Sequence, residues 1–309
     1  MSINAGVQPS LPLIHKKRKR SWYLLFYALP LMVVVFLFSY VPLFGWYLSL
    51  IEYKPGYPLF DNAFVGFKFF KEFFASADFP RVMRNTFLFS GLQFCVLPLP
   101  MIFAILLNEI TSKRFRRTAQ TVTTLPHFIS WVTVYALAFS IFSTEGMLNQ
   151  VLGALGMKNQ MILTDAKAIY WFMTAVGLWK GLGWSAIIYI AAIAGLDQEL
   201  YEAAAIDGAG LFRRILHITV PGLMPTFVVL MLLNVSNFVN HGFEQYFVFR
   251  NSIVANNIEI LELFTYRNGL VLGDYSYASA VGIFKSVVSV MLLVIANLTA
   301  KRVRGTSIL

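Results

Sequence analysis

The sequence predicts an all-α, polytopic membrane protein with six transmembrane helices. Its 309 residues are 58% hydrophobic and only 13% charged, whereas a soluble domain carries roughly 25% charged residues. The apolar residues fall into six long runs, and a helix needs roughly 20 residues to cross a bilayer. Alternating strand patterns are absent from the sequence, and backbone groups in lipid must be hydrogen-bonded within their own segment, so the runs are expected to be helices.

We place the six spans by the extent of each apolar run. They are predicted at residues 22–50, 84–108, 121–143, 168–195, 218–240 and 278–300. Prolines in the first two spans predict kinks, because proline removes a helical hydrogen-bond donor: Pro30, Pro42, Pro98 and Pro100. In the loops between spans we expect an interfacial helix within 51–80, where aromatic residues alternate with charges, and an amphipathic helix over 256–269.

The distribution of basic residues predicts the orientation of the chain. The two termini, the turn after the second span and the loop after the fourth together hold 14 Lys and Arg against five acids, and the opposite loops hold nine against ten. Positive charge stays in the cytoplasm during insertion, so both termini are predicted to be cytoplasmic. Residues 1–20 then form a cytoplasmic basic leader that anchors the topology rather than binding nucleic acid, and residues 21–309 form the transmembrane domain. The first run is too long for a cleaved signal peptide and is expected to remain as a helix.

The loop at about 196–217, which contains "LYEAAAIDGAGLFRRILH", is more structured than a simple connection needs to be. Tyr201, Ala204 and Ala205 follow the spacing of one helical face, and Gly208 and Gly210 then interrupt it. Two short helices hinged at glycine are therefore predicted.

Asp207 is expected to cap the second of these helices. That helix is predicted to carry one apolar face, made by Leu211, Phe212, Ile215 and Leu216. The alanines leave a flat surface that another protein can approach closely, with Glu202 and Asp207 at its edges. A solvated hairpin without a partner is the alternative, and the pattern alone leaves both open.

A resemblance favours the first interpretation. The stretch is similar to the "EAA" signature of permease subunits in binding-protein-dependent ABC importers, and the matching positions are Glu202, Ala203, Ala204, Asp207, Gly208, Ala209, Ile218 and Pro221. The resemblance implies the type I importer permease fold in a bacterial cell membrane. It also implies that the 196–217 loop is a coupling helix that docks on a cytoplasmic ATPase.

The resemblance also implies a set of partners. These are a second, homologous permease subunit in a heterodimer, two cytoplasmic ATPase subunits that bind ATP and Mg, and an extracellular solute-binding protein. The stretches "LPHFIS" and "GLVLGDYSYASAVGIFKSVVSV" resemble permeases for oligosaccharides from complex polysaccharides, including alginate and pectin fragments. Where many sugar permeases have a Thr-x-Gly-Gly-Pro-like segment after the fifth span, this chain has "NHGFEQYFVFRN". It has no GxxxxGK[ST] phosphate loop, so we expect a transport subunit without catalytic activity or cofactor of its own.

Polar residues inside spans are candidates for a substrate path, because they are costly in lipid. Asn234 and Asn237 share a face of the fifth span and Asn240 follows them. Amides both donate and accept, as sugar hydroxyls do, and the resemblance implies sugar contacts in this region. Hydrogen bonding between helices is the structural alternative.

The fourth span adds "GLWKGLGWS", with Lys180 between Trp179 and Trp184. Tryptophan packs on the C–H face of a sugar and lysine binds hydroxyl or carboxylate, although the glycines also fit tight helix contacts. In the sixth span Lys285 is expected to reach the interface or to pair with Glu244, or else to contact substrate. Two lysines inside spans leave an acidic glycan open.

No metal site is predicted, because His127 and His217 lack paired ligands. Two other classes of function remain open on the residues alone. A membrane-embedded glycosyl or lipid transferase needs carboxylates or histidines clustered at one interface, whereas the acids here are scattered. An ion-coupled secondary transporter commonly has intramembrane acids, and none lies well inside a predicted span.

Overall fold

A computed structural model describes residues 22–240 and 242–304, so the predicted leader at 1–20 lies outside the described residues. Apart from an antiparallel bridge between Ile51 and Phe64, the described regular structure is helical. The α-helices in chain order are α1 Trp22–Val35, α2 Lys68–Ala75, α3 Asp78–Val96, α4 Leu99–Asn108, α5 Lys113–Thr124, α6 Trp131–Phe142, α7 Met147–Ala154, α8 Ala168–Ala194, α9 Gln198–Ile206, α10 Leu211–Arg214, α11 Val220–Ser236, α12 Phe243–Phe249, α13 Ala255–Ile258, α14 Leu261–Tyr266 and α15 Tyr275–Arg304.

Within the described residues, six helical segments are long and apolar enough to cross a membrane, and each overlaps one predicted span. They are Leu25–Leu50, Asp78–Asn108, Trp131–Ala154, Ala168–Ala194, Leu211–Val235 and Tyr275–Thr299. The prediction of a continuous third span over 121–143 is wrong. α5 ends at Thr124, Pro126 lies in a 3₁₀ turn, and Ser130 then caps α6 by accepting a hydrogen bond at 3.2 Å from the backbone N–H of Thr133. A proline without an N–H and a new cap together restart the helix.

The chain divides into two compact units, one that ends at Trp46 and one from Tyr47 to Leu309. In the first unit, Pro30 lies inside α1, and a π-helical turn follows at Phe36–Tyr40. The apolar side chains of this unit are largely exposed, and Phe38 is 78% exposed. Such a surface is typical of a helix that is covered by lipid or by another membrane protein.

In the second unit, α8 packs against α3, α4, α5 and α11. Ala104 of α4 and Ala186 of α8 are fully buried at one of these contacts. The contact with α5 is closer still, because a Cβ added to Gly183 would overlap the backbone carbonyl oxygen of Thr123. The glycine therefore fixes which side of α8 faces α5.

The N-terminus of α8 is held by Asp165. Its Oδ1 accepts hydrogen bonds from the backbone N–H groups of Ala168 and Lys167, each at 2.7 Å. These bonds, with that from Ala168 the stronger influence, hold the pKa of the Asp165 carboxyl below its usual range because they stabilise the charged form. The cap determines where the fourth span begins.

The two loop helices that the sequence predicts differ in detail from the observed ones. The interfacial helix within 51–80 is α2, but its Phe69 and Phe73 are buried inside the protein. The helix predicted over 256–269 is broken between α13 and α14 at Glu259 and Ile260. The break turns the Glu259 carboxylate into the protein, where Arg81 lies 2.7 Å away.

The fifth span is continuous with part of the preceding loop. α10, a π-helical turn at Ile215–Thr219 and α11 follow one another without a gap from Leu211 to Ser236. Pro221 and Pro225 both lie inside this segment, and the wider π-helical turn lies just before Pro221, whose nitrogen has no hydrogen to donate. We refer to this uninterrupted helical segment as the 211–236 rod.

Candidate functional site

The 196–217 hairpin is shaped by the end of α9. Gly208 has a positive φ of +72°, its N–H donates to the carbonyl of Ala205 at 3.1 Å, and the next N–H, of Ala209, donates to Ala204 at 2.8 Å. This pair of bonds is the Schellman ending of a helix, which favours glycine because other residues are strained at positive φ. Gly208 therefore sets the direction in which the chain leaves α9.

The prediction that Asp207 caps the second helix is wrong. α9 continues to Ile206, so Asp207 is the C-terminal cap of the first helix, and Gly210 precedes α10. The capping carboxylate of the hairpin is Asp197, whose Oδ1 accepts from the backbone N–H of Glu199 at 2.9 Å. The Schellman ending at Gly208 explains the difference. It places Asp207 at the C-terminal end of the first helix, so Asp207 cannot stand at the start of the second.

Two contacts join the hairpin to the base of the 211–236 rod. The hydroxyl of Tyr201 lies 2.8 Å from Oγ1 of the buried Thr219. A Cβ added to Gly222 would lie 2.6 Å from a methyl of Leu196, so this glycine provides the space that Leu196 occupies. The hairpin is thus packed onto α11 rather than loosely attached to it.

The outer surface of the hairpin is apolar as well as acidic. The residues of the predicted coupling set are exposed at Glu202, Ala203, Asp207, Gly208 and Pro221 and half-buried at Ala204 and Ala209. Beside them Ile206 is 87% exposed and Phe212 is 79% exposed. The apolar face predicted for the second helix is largely exposed, since Leu211, Phe212 and Leu216 are exposed and Ile215 is half-buried. Two large exposed apolar side chains beside small alanines are typical of a protein-binding surface.

The predicted asparagines line a cavity between α3 and α11. Asn234, Asn237 and Asn240 share it with Ser90 and Gln93. The Nδ2 of Asn234 donates to the carbonyl of Leu230 at 2.8 Å, and that of Asn237 donates to Leu233 at 3.2 Å. Each bond uses one of the two N–H groups of the amide, and the remaining donor and the carbonyl oxygen are suited to a polar ligand.

A second cavity of about 250 Å³ adjoins the first and shares Gln93 and Asn234 with it. It also has Trp184 and Ser185 of α8 in its wall. The Trp184 ring is stacked on His127, with ring centroids 4.5 Å apart and an interplanar angle of 1°. The stack fixes the orientation of the indole in the cavity wall.

Three polar residues of these walls were not predicted from the sequence. Ser90, Gln93 and Ser185 lie inside the second and fourth spans. Gln93 could have been predicted, because an amide in the middle of an apolar run is costly unless it faces a partner or a wet cavity. Together with the asparagines, the three residues give the joined cavities amide and hydroxyl groups from three helices.

Two residues predicted for the path lie elsewhere. Trp179 lines a separate apolar groove with Leu137 and Phe172. Lys180 is buried, its Nζ donates to the carbonyl of His127 at 2.7 Å, and it lies 5.3 Å from the centre of the Trp131 ring. These two side chains therefore point away from the joined cavities.

Lys285 is also paired within the protein. Its Nζ lies 2.9 Å from Oε1 of Glu262. Of the alternatives left open for Lys285, pairing with Glu244 is wrong, because α14 packs against α15 and brings Glu262 to the lysine.

A buried ionic cluster, unforeseen in the sequence, joins α3 to the break between α13 and α14. Glu259 is 1% exposed and lies 2.7 Å from Arg81 and 3.1 Å from Arg267. Both arginines also contact Asp78, at 2.6 Å and 3.4 Å. We call these four residues the Glu259 cluster. Asn85 extends it by donating to the backbone carbonyl of Glu259 at 3.2 Å.

Comparison with known protein families identifies the family of this chain. Residues 96–305 match the family described as the binding-protein-dependent transport system inner membrane component. The chain belongs to this family. The matched region of the permease includes the whole 196–217 hairpin, the 211–236 rod and the cavity residues of α8 and α11.

Individual relatives agree with this membership. The permease is 38% identical over 289 residues to protein LplB of Bacillus subtilis (strain 168), covering 92% of this chain and 90% of that protein. It is 35% identical over 285 residues to the polygalacturonan/rhamnogalacturonan transport system permease protein YteP of the same strain, covering 91% of this chain and 88% of that protein. Among solved structures, a chain of a bacterial alginate ABC transporter in complex with alginate pentasaccharide-bound periplasmic protein superposes with a TM-score of 0.86 at 31% identity, covering 94% of this chain and 98% of that one.

The predicted fold and location are confirmed by these similarities. The permease has the type I ABC importer fold and is a multi-pass protein of the cell membrane. It is the transmembrane subunit of an ABC importer, which sets aside both the ion-coupled transporter and the membrane-embedded transferase.

Proposed function

We propose that the permease imports oligosaccharides or polysaccharide fragments that an extracellular solute-binding protein delivers. The observation that carries the proposal is the pair of joined cavities, where the amides of Gln93, Asn234 and Asn237 lie near Trp184. Amides match the donor and acceptor pattern of sugar hydroxyls, and an indole packs on a sugar ring. The names of the relatives support the same substrate class, because one carries polygalacturonan and rhamnogalacturonan and another is an alginate transporter.

The 196–217 hairpin is the proposed connection to the energy source. Its exposed surface, with Glu202, Ala203, Asp207 and Gly208 beside Ile206, fits a groove on a cytoplasmic ATPase. Ala204 and Ala209 are half-buried where α9 ends, and Pro221 lies where α11 begins. ATP and Mg are bound by two such ATPase subunits, and this chain binds neither.

The working complex also contains a second, homologous permease subunit. The partner permease forms the wall of the path opposite these cavities. In this arrangement both termini and the 196–217 hairpin face the cytoplasm, as the basic residues predict. The Glu259 cluster then lies toward the outside, where the binding protein docks.

The source of energy is tested by uptake of radiolabelled oligosaccharide into membrane vesicles that contain the whole complex. We expect uptake to stop when the catalytic site of the ATPase subunits is inactivated by substitution. We expect it to continue when ionophores collapse the ion gradients, because the chain couples to nucleotide and not to ions. The proposal would be wrong if the ionophores abolished uptake while ATP hydrolysis continued.

The cavity amides provide a second test. We expect Asn234→Ala and Asn237→Ala each to lower the rate of oligosaccharide uptake about 3- to 10-fold, because a neutral hydrogen bond contributes about 1 kcal/mol. Assembly with the ATPase should be unchanged, since neither residue lies in the 196–217 hairpin.

Asn268→Ala is the matched control for these variants. Asn268 makes the same kind of bond, from Nδ2 to the carbonyl of Phe264 four residues earlier at 2.8 Å, but lies outside both cavities. Unchanged uptake in the two cavity variants, or an equal loss in the control, would assign the asparagines to helix packing.

A further inference from the structure

The walls of the joined cavities have an unusual chemistry for a path that relatives use for acidic polysaccharides. Their polar side chains are amides and hydroxyls, among them Gln93, Asn234, Asn237 and Ser185. Among the described residues that line either cavity, none is Asp, Glu, Lys, Arg or His. The walls offer dipoles to a substrate but no counter-charge.

Lys180 is the cation nearest in sequence to these walls, and its side chain is directed to a different contact. Gly181, the next residue, lines the larger cavity. The Lys180 ammonium instead donates to two backbone carbonyls, of Pro126 at 3.3 Å and His127 at 2.7 Å. The Gly183 contact with α5 holds α8 in this rotation, because a turn of the helix toward the cavity would break the contact. The lysine stabilises the 3₁₀ turn rather than the substrate.

Lys285 is also held by a partner inside the protein. Its ammonium lies 2.9 Å from the carboxylate of Glu262, and both side chains are largely buried, at 25% and 16% exposed. Withdrawing the lysine toward a substrate would leave the Glu262 carboxylate without its counter-charge in a poorly hydrated place. Both lysines that made an acidic glycan plausible are therefore occupied by internal partners.

Cavity walls with dipoles but no counter-charge affect which saccharides can pass. A carboxylate that leaves water for a narrow cavity loses hydration, and only a nearby cation or several strong donors compensate for the loss. Asn234 and Asn237 each keep one N–H donor and a carbonyl acceptor for a ligand, because the other N–H bonds the backbone. A hydroxyl group of a neutral sugar pairs with both, whereas a carboxylate can only accept. The larger cavity, at about 250 Å³, is lined by Gln93, Ser185 and Asn234, so a sugar unit inside it meets these side chains.

We propose that the half of the translocation path contributed by this chain selects neutral, hydroxyl-bearing sugar units over uronate units. The inference rests on the proposed oligosaccharide import and adds the charge class of the substrate. Residue 234 is the specificity-determining position, because its amide lies in the wall shared by the two cavities.

The test uses the complete transporter with its binding protein in proteoliposomes loaded with ATP. The substrate is a mixture of digested galactan, xylan, alginate and pectin, the last in free-acid and methyl-esterified forms of the same chain length. Mass spectrometry measures the ratio of neutral to uronate saccharides both on the binding protein and inside the proteoliposomes. We expect the imported pool to be richer in neutral saccharides than the bound pool by about tenfold.

Variants at one position isolate the contribution of the permease, since the binding protein is the same in all of them. Asn234→Lys should shift the imported pool toward uronates by about tenfold relative to the unsubstituted transporter, and Asn234→Asp should shift it further toward neutral saccharides. Asn268→Lys adds the same charge outside the cavities and should leave the ratio unchanged.

The outcomes separate this inference from the function on which it rests. If no saccharide enters in an ATP-dependent way, oligosaccharide import itself is wrong. If saccharides enter but uronates pass as readily as their methyl esters, and the charge at position 234 does not move the ratio, import stands and the selection for neutral units is overturned.

Discussion

Replacing Gly208 by valine is expected to abolish most oligosaccharide uptake while the permease remains inserted and assembled. The φ of Gly208 is +72°, and a side chain in this conformation costs roughly 1–2 kcal/mol, with more for a β-branched residue. The Schellman ending of α9 would open, and the exposed surface of the 196–217 hairpin would no longer match its groove on the ATPase. We expect uptake to fall at least about tenfold with ATP hydrolysis no longer stimulated by loaded binding protein, measured in proteoliposomes.

Gly210 provides a matched control two residues away. Its φ of −66° and ψ of 169° are extended, and no atom lies within 4 Å of an added Cβ. Gly210→Val should therefore retain most of the uptake. Glu202→Lys reverses the charge of the same exposed surface without strain in the backbone and should also uncouple hydrolysis from uptake. Normal substrate-stimulated hydrolysis in both Gly208→Val and Glu202→Lys would show that the hairpin is not the coupling element.

Replacing Glu259 by alanine is expected to have the largest effect on stability. The substitution removes a carboxylate that is 1% exposed and leaves Arg81 and Arg267 facing each other with Asp78 as their remaining counter-charge. Loss of one partner from a buried ion pair costs 3–5 kcal/mol, and about 3 kcal/mol is expected here because the arginines are 27% and 29% exposed. The measurement is the thermal unfolding temperature of the purified complex in detergent.

Glu52→Ala removes one partner of an exposed pair and serves as the comparison. Glu52 lies 3.4 Å from Lys68 with both side chains nearly half exposed. Exposed pairs contribute about 0–1 kcal/mol, so this variant should unfold close to the temperature of the unsubstituted protein. Equal shifts in the two variants would mean that the Glu259 cluster does not hold α3 against the α13–α14 break.

The six spans were predictable because every backbone polar group within the hydrocarbon layer needs a hydrogen-bond partner in the protein. A backbone that must satisfy its own hydrogen bonds leaves helix as the main solution, and apolar runs mark where helices are needed. The start of the third span was misplaced because Pro126 and the Ser130 cap act over only a few residues inside a run that stays apolar. Hydropathy averages over such local breaks.

The directions of side chains were less predictable than the spans. Lys180 and Trp184 lie four residues apart on one face of α8, and both meet the 3₁₀ turn, the lysine through the His127 carbonyl and the indole through the His127 ring. That outcome depends on the rotation of α8, which Gly183 fixes through a contact with Thr123, 60 positions earlier in the chain. The Glu259 cluster depends on a similar long-range meeting, since Arg81 and Glu259 are separated by 178 residues. Contacts between such distant positions leave no local pattern to detect.

The continuity of the 211–236 rod has a consequence for how the two ends of this permease communicate. Phe212, at one end, is exposed on the surface proposed to meet the ATPase, and Asn234, about 33 Å away at 1.5 Å per residue, lines the cavity. An α-helix resists torsion, so a rotation applied near Phe212 is carried to Asn234 as long as the π-helical turn at Ile215–Thr219, which lies between them, keeps its geometry. Rotation of the rod would then reorient the Asn234 amide in the cavity. The affinity of the cavity for sugar would change with the state of the nucleotide, without a relay of side chains between the ATPase surface and the cavity.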